Sequence, residues 1–290
     1  MSQPEFKLPH ELKLGPVCLR TKDTELMLSF YERDFGLKVV QSDGGYTALG
    51  TGATAEPIII LHHEAKATSP PPKATGLYHY ALLVPDRRSL AAAYLALGSK
   101  GVVFEGYADH QVSEALYLSD PEGNGIEIYS DRPRNEWKFD EGEVDMTTQP
   151  LDLDSLIKEL PTGGGEESKA IADETRVGHI HLKVSDLNAS ITFYRDALGF
   201  ELMRYLDSAA FLSAGRYHHH VGMNTWDSLG GPATRKDWTG LEYFAFTIPE
   251  TKLNELSARL NVRPTVQNSN SARLFLSDPD DINLTFNAPR

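Results

Sequence analysis

Hydrophobic and polar positions alternate over residues 177–184. Ile180, Leu182 and Val184 point one way and His179, His181 and Lys183 the other. A period of two predicts a strand with one face buried. Asp186 follows where a helix N-cap belongs, and Ile191, Tyr194 and Leu198 recur at helical spacing, so a helix is predicted next. Past Gly199 come the shorter runs FELMRYL and YHHHVGMNTW, predicted as strands. The local unit is βαβββ.

The same pattern recurs. LGPVCLRTKDTELMLSFYERDFGLKVV, from Leu14, aligns without a gap to VGHIHLKVSDLNASITFYRDALGFELM, from Val177. GLYHYALLVPD, from Gly76, resembles GLEYFAFTIPE, from Gly240, and YLSDPEGNGIEIY, from Tyr117, resembles FLSDPDDINLTFN, from Phe275. Internal repeats of this kind define supersecondary units. Four are read here, over roughly residues 13–65, 76–131, 176–228 and 240–287. The segment between the second and third contains a short predicted helix and then Gly163-Gly164-Gly165, read as a linker. The sequence therefore divides into a first two-unit region, 1–131, a linker, 132–175, and a second two-unit region, 176–290. The pattern alone gives an α+β protein with mixed or antiparallel sheets.

Composition changes the picture mainly by exclusion. A formal net charge of -13 argues against nucleic acid and anionic membranes, because both select Lys and Arg. Cys18 is the one cysteine, so no internal disulfide forms and a reducing, cytoplasmic setting is expected. No apolar stretch reaches the length of a membrane span or a signal peptide. A homo-oligomeric state is compatible with the sequence, which does not specify it.

The four repeats resemble the vicinal oxygen chelate superfamily, which includes glyoxalase I, bleomycin-resistance proteins and extradiol dioxygenases. The resemblance spans nearly the whole chain outside the linker. It implies paired βαβββ modules curved around a metal, with ligands from the first and last strands of each module. Those positions differ sharply between units. Unit one has Pro16; unit four has Tyr243 and Thr285; unit two has His79 and Glu127; unit three has His179. Alternation around Glu127 sends Ile126 and Ile128 to the helix-packed face and leaves Glu127 facing the cavity. An isolated carboxylate in an apolar cavity is costly, so an inward Glu implies a cationic partner.

Two His and one carboxylate match the ligand set of non-haem Fe(II) oxygenases. The expected metal is Fe(II), with Mn(II) as the alternative, and His181 shares the inward face as a competing ligand. The triad closes only if unit two pairs with unit three and unit one with unit four, giving two curved-sheet barrels in that pairing.

The stretch HQVSEALYLSDPEGNGIE, from His110, is similar to the extradiol dioxygenase signature in its His, its aliphatic-Tyr pair, its Asp-Pro-x-Gly turn and its metal-binding Glu. One departure is Ala108, where relatives more often carry Gly. The resemblance is nearest to compact, two-domain catechol 2,3-dioxygenases. It implies cleavage of catechol or a substituted catechol with O2, so the partners are a small aromatic diol and dioxygen. Tyr117 and His110 would orient substrate and transfer protons. A His on the run His218-His219-His220 would assist at oxygen. Extending the alternation of Val221 and Met223 back along the run selects His220, and a slip of one residue selects His219. Unit four keeps the Ser-Asp-Pro turn but has Phe275 for Tyr117 and Asn268 for His110. Two other readings remain open: a glyoxalase-like metal-dependent isomerase or lyase, and a non-catalytic aromatic-binding protein.

Overall fold

The computed structural model describes residues 6–161, 169–266 and 272–289. Gly163-Gly164-Gly165 and Asn268 lie outside the described residues.

Unit one supplies β1 (Lys13–Thr21), α1 (Thr24–Ser29), β2 (Lys38–Asp43), β3 (Tyr46–Gly50) and β4 (Ile59–His63). Unit two supplies β5 (Gly76–Leu83), α2 (Arg87–Ser99), β6 (Gly106–Asp109), β7 (Ser113–Ser119) and β8 (Gly125–Asp131). The connecting segment carries the hairpin β9 (Phe139–Asp140) and β10 (Glu143–Val144), then α3 (Leu153–Ile157). Unit three adds β11 (Arg176–Lys183), α4 (Leu187–Ile191), β12 (Glu201–Leu206), β13 (Ala209–Ser213) and β14 (Val221–Asn224). Unit four adds β15 (Gly240–Thr247), α5 (Glu250–Leu260), β16 (Thr265–Val266), β17 (Ala272–Ser277) and β18 (Asn283–Asn287).

Aspartates start four of the five α-helices of the described residues, as predicted at Asp186. Asp23, Asp86, Asp152 and Asp186 each accept a backbone N–H from the first turn of α1, α2, α3 and α4, which satisfies donors that the helix itself leaves unpaired. The predicted helix after Asp186 is regular only to Ile191. It continues through Thr192–Ala197 as a wider turn that buries Tyr194.

Two eight-stranded sheets result, in the orders β12-β13-β14-β11-β5-β8-β7-β6 and β16-β17-β18-β15-β1-β4-β3-β2. The first joins units two and three through antiparallel β5 and β11, and we call it the central sheet. The second joins units one and four through antiparallel β1 and β15, and we call it the terminal sheet. The pairing that the candidate triad requires is the pairing the chain adopts, and both sheets cross the sequence regions drawn from chain order.

One continuous core lies on the helix-packed faces. It takes Val17, Leu19, Ile59 and Leu61 from the terminal sheet and Tyr80, Leu82, Ile126, Ile128, Ile180 and Leu182 from the central one. Consecutive units are latched across the sheets. The Tyr31 hydroxyl donates to Asp120 Oδ2 at 2.9 Å, and the Tyr194 hydroxyl donates to Asp278 Oδ2 at 3.1 Å. Each Asp belongs to a Ser-Asp-Pro turn, so the turn aspartate both shapes its loop and anchors the neighbouring unit.

Candidate metal centre

With the apolar half of each central strand committed to the core, the alternate residues line the concave face. β11 delivers His179 and His181, β5 delivers His79, and β8 delivers Glu127. Ligand atoms of His79, Glu127 and His179 all lie within 4.8 Å of one another, and all three residues are buried. Glu127 Oε2 stands 3.0 Å from His79 Nε2 and 3.1 Å from His179 Nε2. The His179 contact is a hydrogen bond; His79 Nε2 is buried without one. Two imidazole nitrogens and a carboxylate oxygen converging in a buried pocket are the donor set of a divalent cation. The residues therefore fit the metal expected from sequence.

Electrostatics agree with that fit. Burial pushes the Glu127 carboxyl upward, but His179 and His79 outweigh it and hold the group well below the ordinary carboxylate range. His179 is lowered to about 4 by burial, against the pull of Glu127. An anionic Glu and a neutral His are the forms that ligate metals. Gly178, next to His179, has no room for a side chain, since a Cβ there would collide with the Tyr129 hydroxyl. His181 lies beside the triad, its ring 4.9 Å from that of His79, but its ligand atom is not among the converging three. Its Nε2 is 3.0 Å from Asn224 Nδ2, and burial holds it neutral.

Around the triad sits a second layer of polar groups. Tyr117 and His110 form a pair, with the tyrosine hydroxyl 2.7 Å from His110 Nε2. His110 Nδ1 lies 2.8 Å from the Thr147 carbonyl of the connecting segment. A carbonyl only accepts, so Nδ1 carries the proton and Nε2 accepts from Tyr117. The segment that reads as a linker is thus pinned beside β6, by reciprocal bonds between Asp109 and Gln149, and fixes this tautomer. Burial, and then Glu127, push the Tyr117 hydroxyl well above its ordinary pKa, so it stays protonated.

The His218-His219-His220 run departs from the strand expectation. β14 begins only at Val221, after a turn with left-handed Gly215 and Arg216. Strand alternation therefore does not reach the three histidines. His219, not His220, lies against His179, with ring centroids 4.1 Å apart. His220 packs against Tyr217 with tilted rings 5.0 Å apart and accepts the Ala214 N–H at 3.1 Å. His218 links His219 to Asp131, with Nδ1 2.9 Å from His219 Nδ1 and Nε2 3.0 Å from Asp131 Oδ1. The carboxylate only accepts, so His218 donates from Nε2, and its Nδ1 shares the second contact with His219 Nδ1. The sequence reading missed Asp131, although its place at the end of β8, on the face opposite Ser130, was readable from alternation.

The comparisons with known proteins follow the same lines. The chain matches the Glyoxalase/Bleomycin resistance protein/Dioxygenase superfamily over residues 13–128 and 176–287. It is 39% identical over 248 residues to the Catechol-2,3-dioxygenase of Bacillus subtilis (strain 168), covering 84% of this chain and 86% of that protein. A solved chain from Bacillus subtilis subsp. subtilis str. 168 shares the fold with a TM-score of 0.66 at 13% identity, covering 98% of this chain and 86% of that one. Glyoxalase I from Zea mays does so with a TM-score of 0.58 at 17% identity, covering 96% and 92%. From two matched stretches that together take in all four repeats, the chain belongs to the Glyoxalase/Bleomycin resistance protein/Dioxygenase superfamily.

Proposed function

We propose that the protein is an extradiol ring-cleaving dioxygenase that opens catechol or a substituted catechol with O2. The observation that carries this reading is the buried His79–Glu127–His179 cluster with a tautomer-fixed His110–Tyr117 pair beside it. The similarity to a catechol-2,3-dioxygenase over most of both chains supports it. Held by His79, His179 and Glu127, Fe(II), or alternatively Mn(II), would supply Lewis acidity toward the two phenolic oxygens and a route for electrons between ring and oxygen.

The chain's own groups do the remaining work. Tyr117 donates its proton to His110 Nε2, so its oxygen is free to take a proton from a substrate hydroxyl. His110, held by the Thr147 carbonyl, receives the tyrosine's proton without reorienting, while the tyrosine oxygen keeps the one from the substrate. His219 faces the pocket as a neutral base, because burial and then His179 hold its pKa well below the ordinary histidine value. We assign it the role that strand alternation had given to His220. The apolar core closes the site from beneath the sheet, and the rings of Tyr78, Phe211 and Trp226 surround His181.

The test is oxygen consumption. Anaerobically metal-loaded protein is mixed with a panel of catechols, and oxygen uptake is followed together with the yellow ring-opened product. No oxygen uptake with any catechol, together with isomerisation of a thiol hemithioacetal, would replace this reading with the glyoxalase-like one.

A further inference from the structure

β1 and β11 occupy equivalent places in the two sheets, and each ends in a cation on its concave face: Arg20 and Lys183. Arg20 lies opposite Gly240 and His62, and Lys183 lies opposite Gly76 and Asn224. A bulge interrupts each pairing at the same point, between Cys18 and Leu19 and between His181 and Leu182. The residue accommodated there is Glu242 in the terminal sheet and Tyr78 in the central one.

The two cations therefore have different surroundings. Arg20 is buried, reaches Glu242 at 3.3 Å and donates to the Trp238 carbonyl at 3.1 Å. Lys183 makes no side-chain hydrogen bond or ion pair among the described residues. It is half-buried; burial lowers its pKa, and the exposed Asp227 opposes that from a distance. A partly desolvated ammonium without a partner is an unfavourable arrangement unless something completes it.

Lys183 shares a strand face with His179 and His181. Four residues of strand separate it from His179 by roughly 13 Å. A catechol ring with a short side chain, approached by the lysine side chain from the other end, spans that distance. The wall between is aromatic: Tyr78 is 5.1 Å from His181 and 5.2 Å from Trp226 by ring centroids. Burial raises the Tyr78 hydroxyl pKa, and the acidic groups that bear on it, Asp227 and Glu105, raise it further.

We propose that Lys183 is a specificity residue, receiving the carboxylate of a catechol that carries a short acidic side chain, as Glu242 is received by Arg20 in the other sheet. This rests on the ring-cleavage reading for the position of the catechol, and it adds the substrate class.

The test compares 3,4-dihydroxyphenylacetate with its uncharged amide, which has nearly the same shape. Metal-loaded full-length protein should show a higher kcat/KM for the acid. The acid-to-amide ratio should fall at least about tenfold in Lys183→Met, persist in Lys183→Arg and invert in Lys183→Glu. An equal fall for both compounds in Lys183→Met, or no preference in the wild type, overturns the proposal. A second readout needs no turnover. Under anaerobic conditions, acylation of Lys183 by an amine reagent is followed by mass spectrometry. Protection by the acid and not by the amide supports the subsite; equal protection, or none, overturns it. If neither compound is cleaved, the ring-cleavage reading fails, and the protection result decides the subsite alone.

Discussion

The terminal sheet keeps the frame of the central sheet and has none of its three candidate ligands. Both have the order of a duplicated βαβββ pair, both bulge at the same point beside the central antiparallel strands, and both are tied through a Tyr–Asp latch. Even the backbone contact beyond the first strand recurs: Lys22 N–H donates to Glu122 at 3.1 Å, and Ser185 N–H donates to Asp280 at 3.0 Å. On the concave face the sheets diverge. The positions of His179, His79 and Glu127 hold Pro16, Tyr243 and Thr285 in the terminal sheet. Its mouth is closed by Glu242, with Arg20 at 3.3 Å, His62 at 2.5 Å and Tyr46 at 3.2 Å. The difference shows that the framework contacts are independent of the ligand set. A satisfied ion cluster fills one cleft, and the other is left with groups aimed at something absent from the chain.

That contrast is most sharply broken by Glu127→Ala. Metal analysis should fall from one ion per chain to near zero, with loss of turnover, whereas Thr285→Ala at the matching position should leave metal content unchanged. Full metal occupancy in Glu127→Ala would refute the ligand assignment. Next in size, Tyr117→Phe and His219→Ala should retain metal and lose about 10²–10⁴-fold in turnover. His220→Ala, by comparison, should lose stability more than turnover. If His220→Ala loses the turnover and His219→Ala keeps it, the placement of the histidine run is wrong.

A third prediction concerns the latches. Tyr194→Phe leaves buried Asp278 short of a donor, and its cost should be about 1–3 kcal/mol in urea unfolding. Tyr31→Phe should cost a similar amount, since the two latches are equivalent in place. A large inequality would mean that one sheet depends on its latch more than the other.

Acid should sharpen the comparison further, because the buried histidines sit in the central sheet. His220 is lowered to about 3 by burial and neighbouring charge, and His179 to about 4. A histidine depressed on folding binds its proton in the unfolded chain first. Stability is therefore full above about pH 6.5 and falls as pH drops from there toward the folded values. His220→Asn should reduce that slope by up to one proton, about 1.4 kcal/mol per pH unit. An unchanged slope would show that His220 titrates normally in the fold. The smallest effect is expected at Thr285, whose buried hydroxyl has no partner. Thr285→Val should stabilise the protein by about 1 kcal/mol in the same assay.

Much of this frame was legible from repeats. The alignment of Leu14 with Val177 located the units, and the demand that His79, Glu127 and His179 meet selected the sheet pairing. Glu127 was readable because Ile126 and Ile128 on either side fixed its direction. The histidine run was not, because alternation describes extended chain and His218–His220 precede the strand. The Tyr31–Asp120 latch, the Glu242 cluster and the Thr147 carbonyl on His110 were also hidden. Each joins residues from different units or from the connecting segment, and local pattern holds no information about packing between distant parts of the chain.

The nesting of the sheets also orders events during synthesis. β11 and β5 lie in the middle of the chain, while β1 must wait for β15, with Lys13 opposite Thr247. The central sheet can close once the chain has passed Asn224, and β1, paired with β4 on one side, then waits for β15 on the other until the last unit emerges. Pairing of such distant segments is slow, and unpaired strand edges invite association with other chains. Chains truncated after residue 231 and released from the ribosome would therefore carry the strands of the candidate metal pocket and an open apolar edge on β1, making the last unit of the sequence a cover for the first.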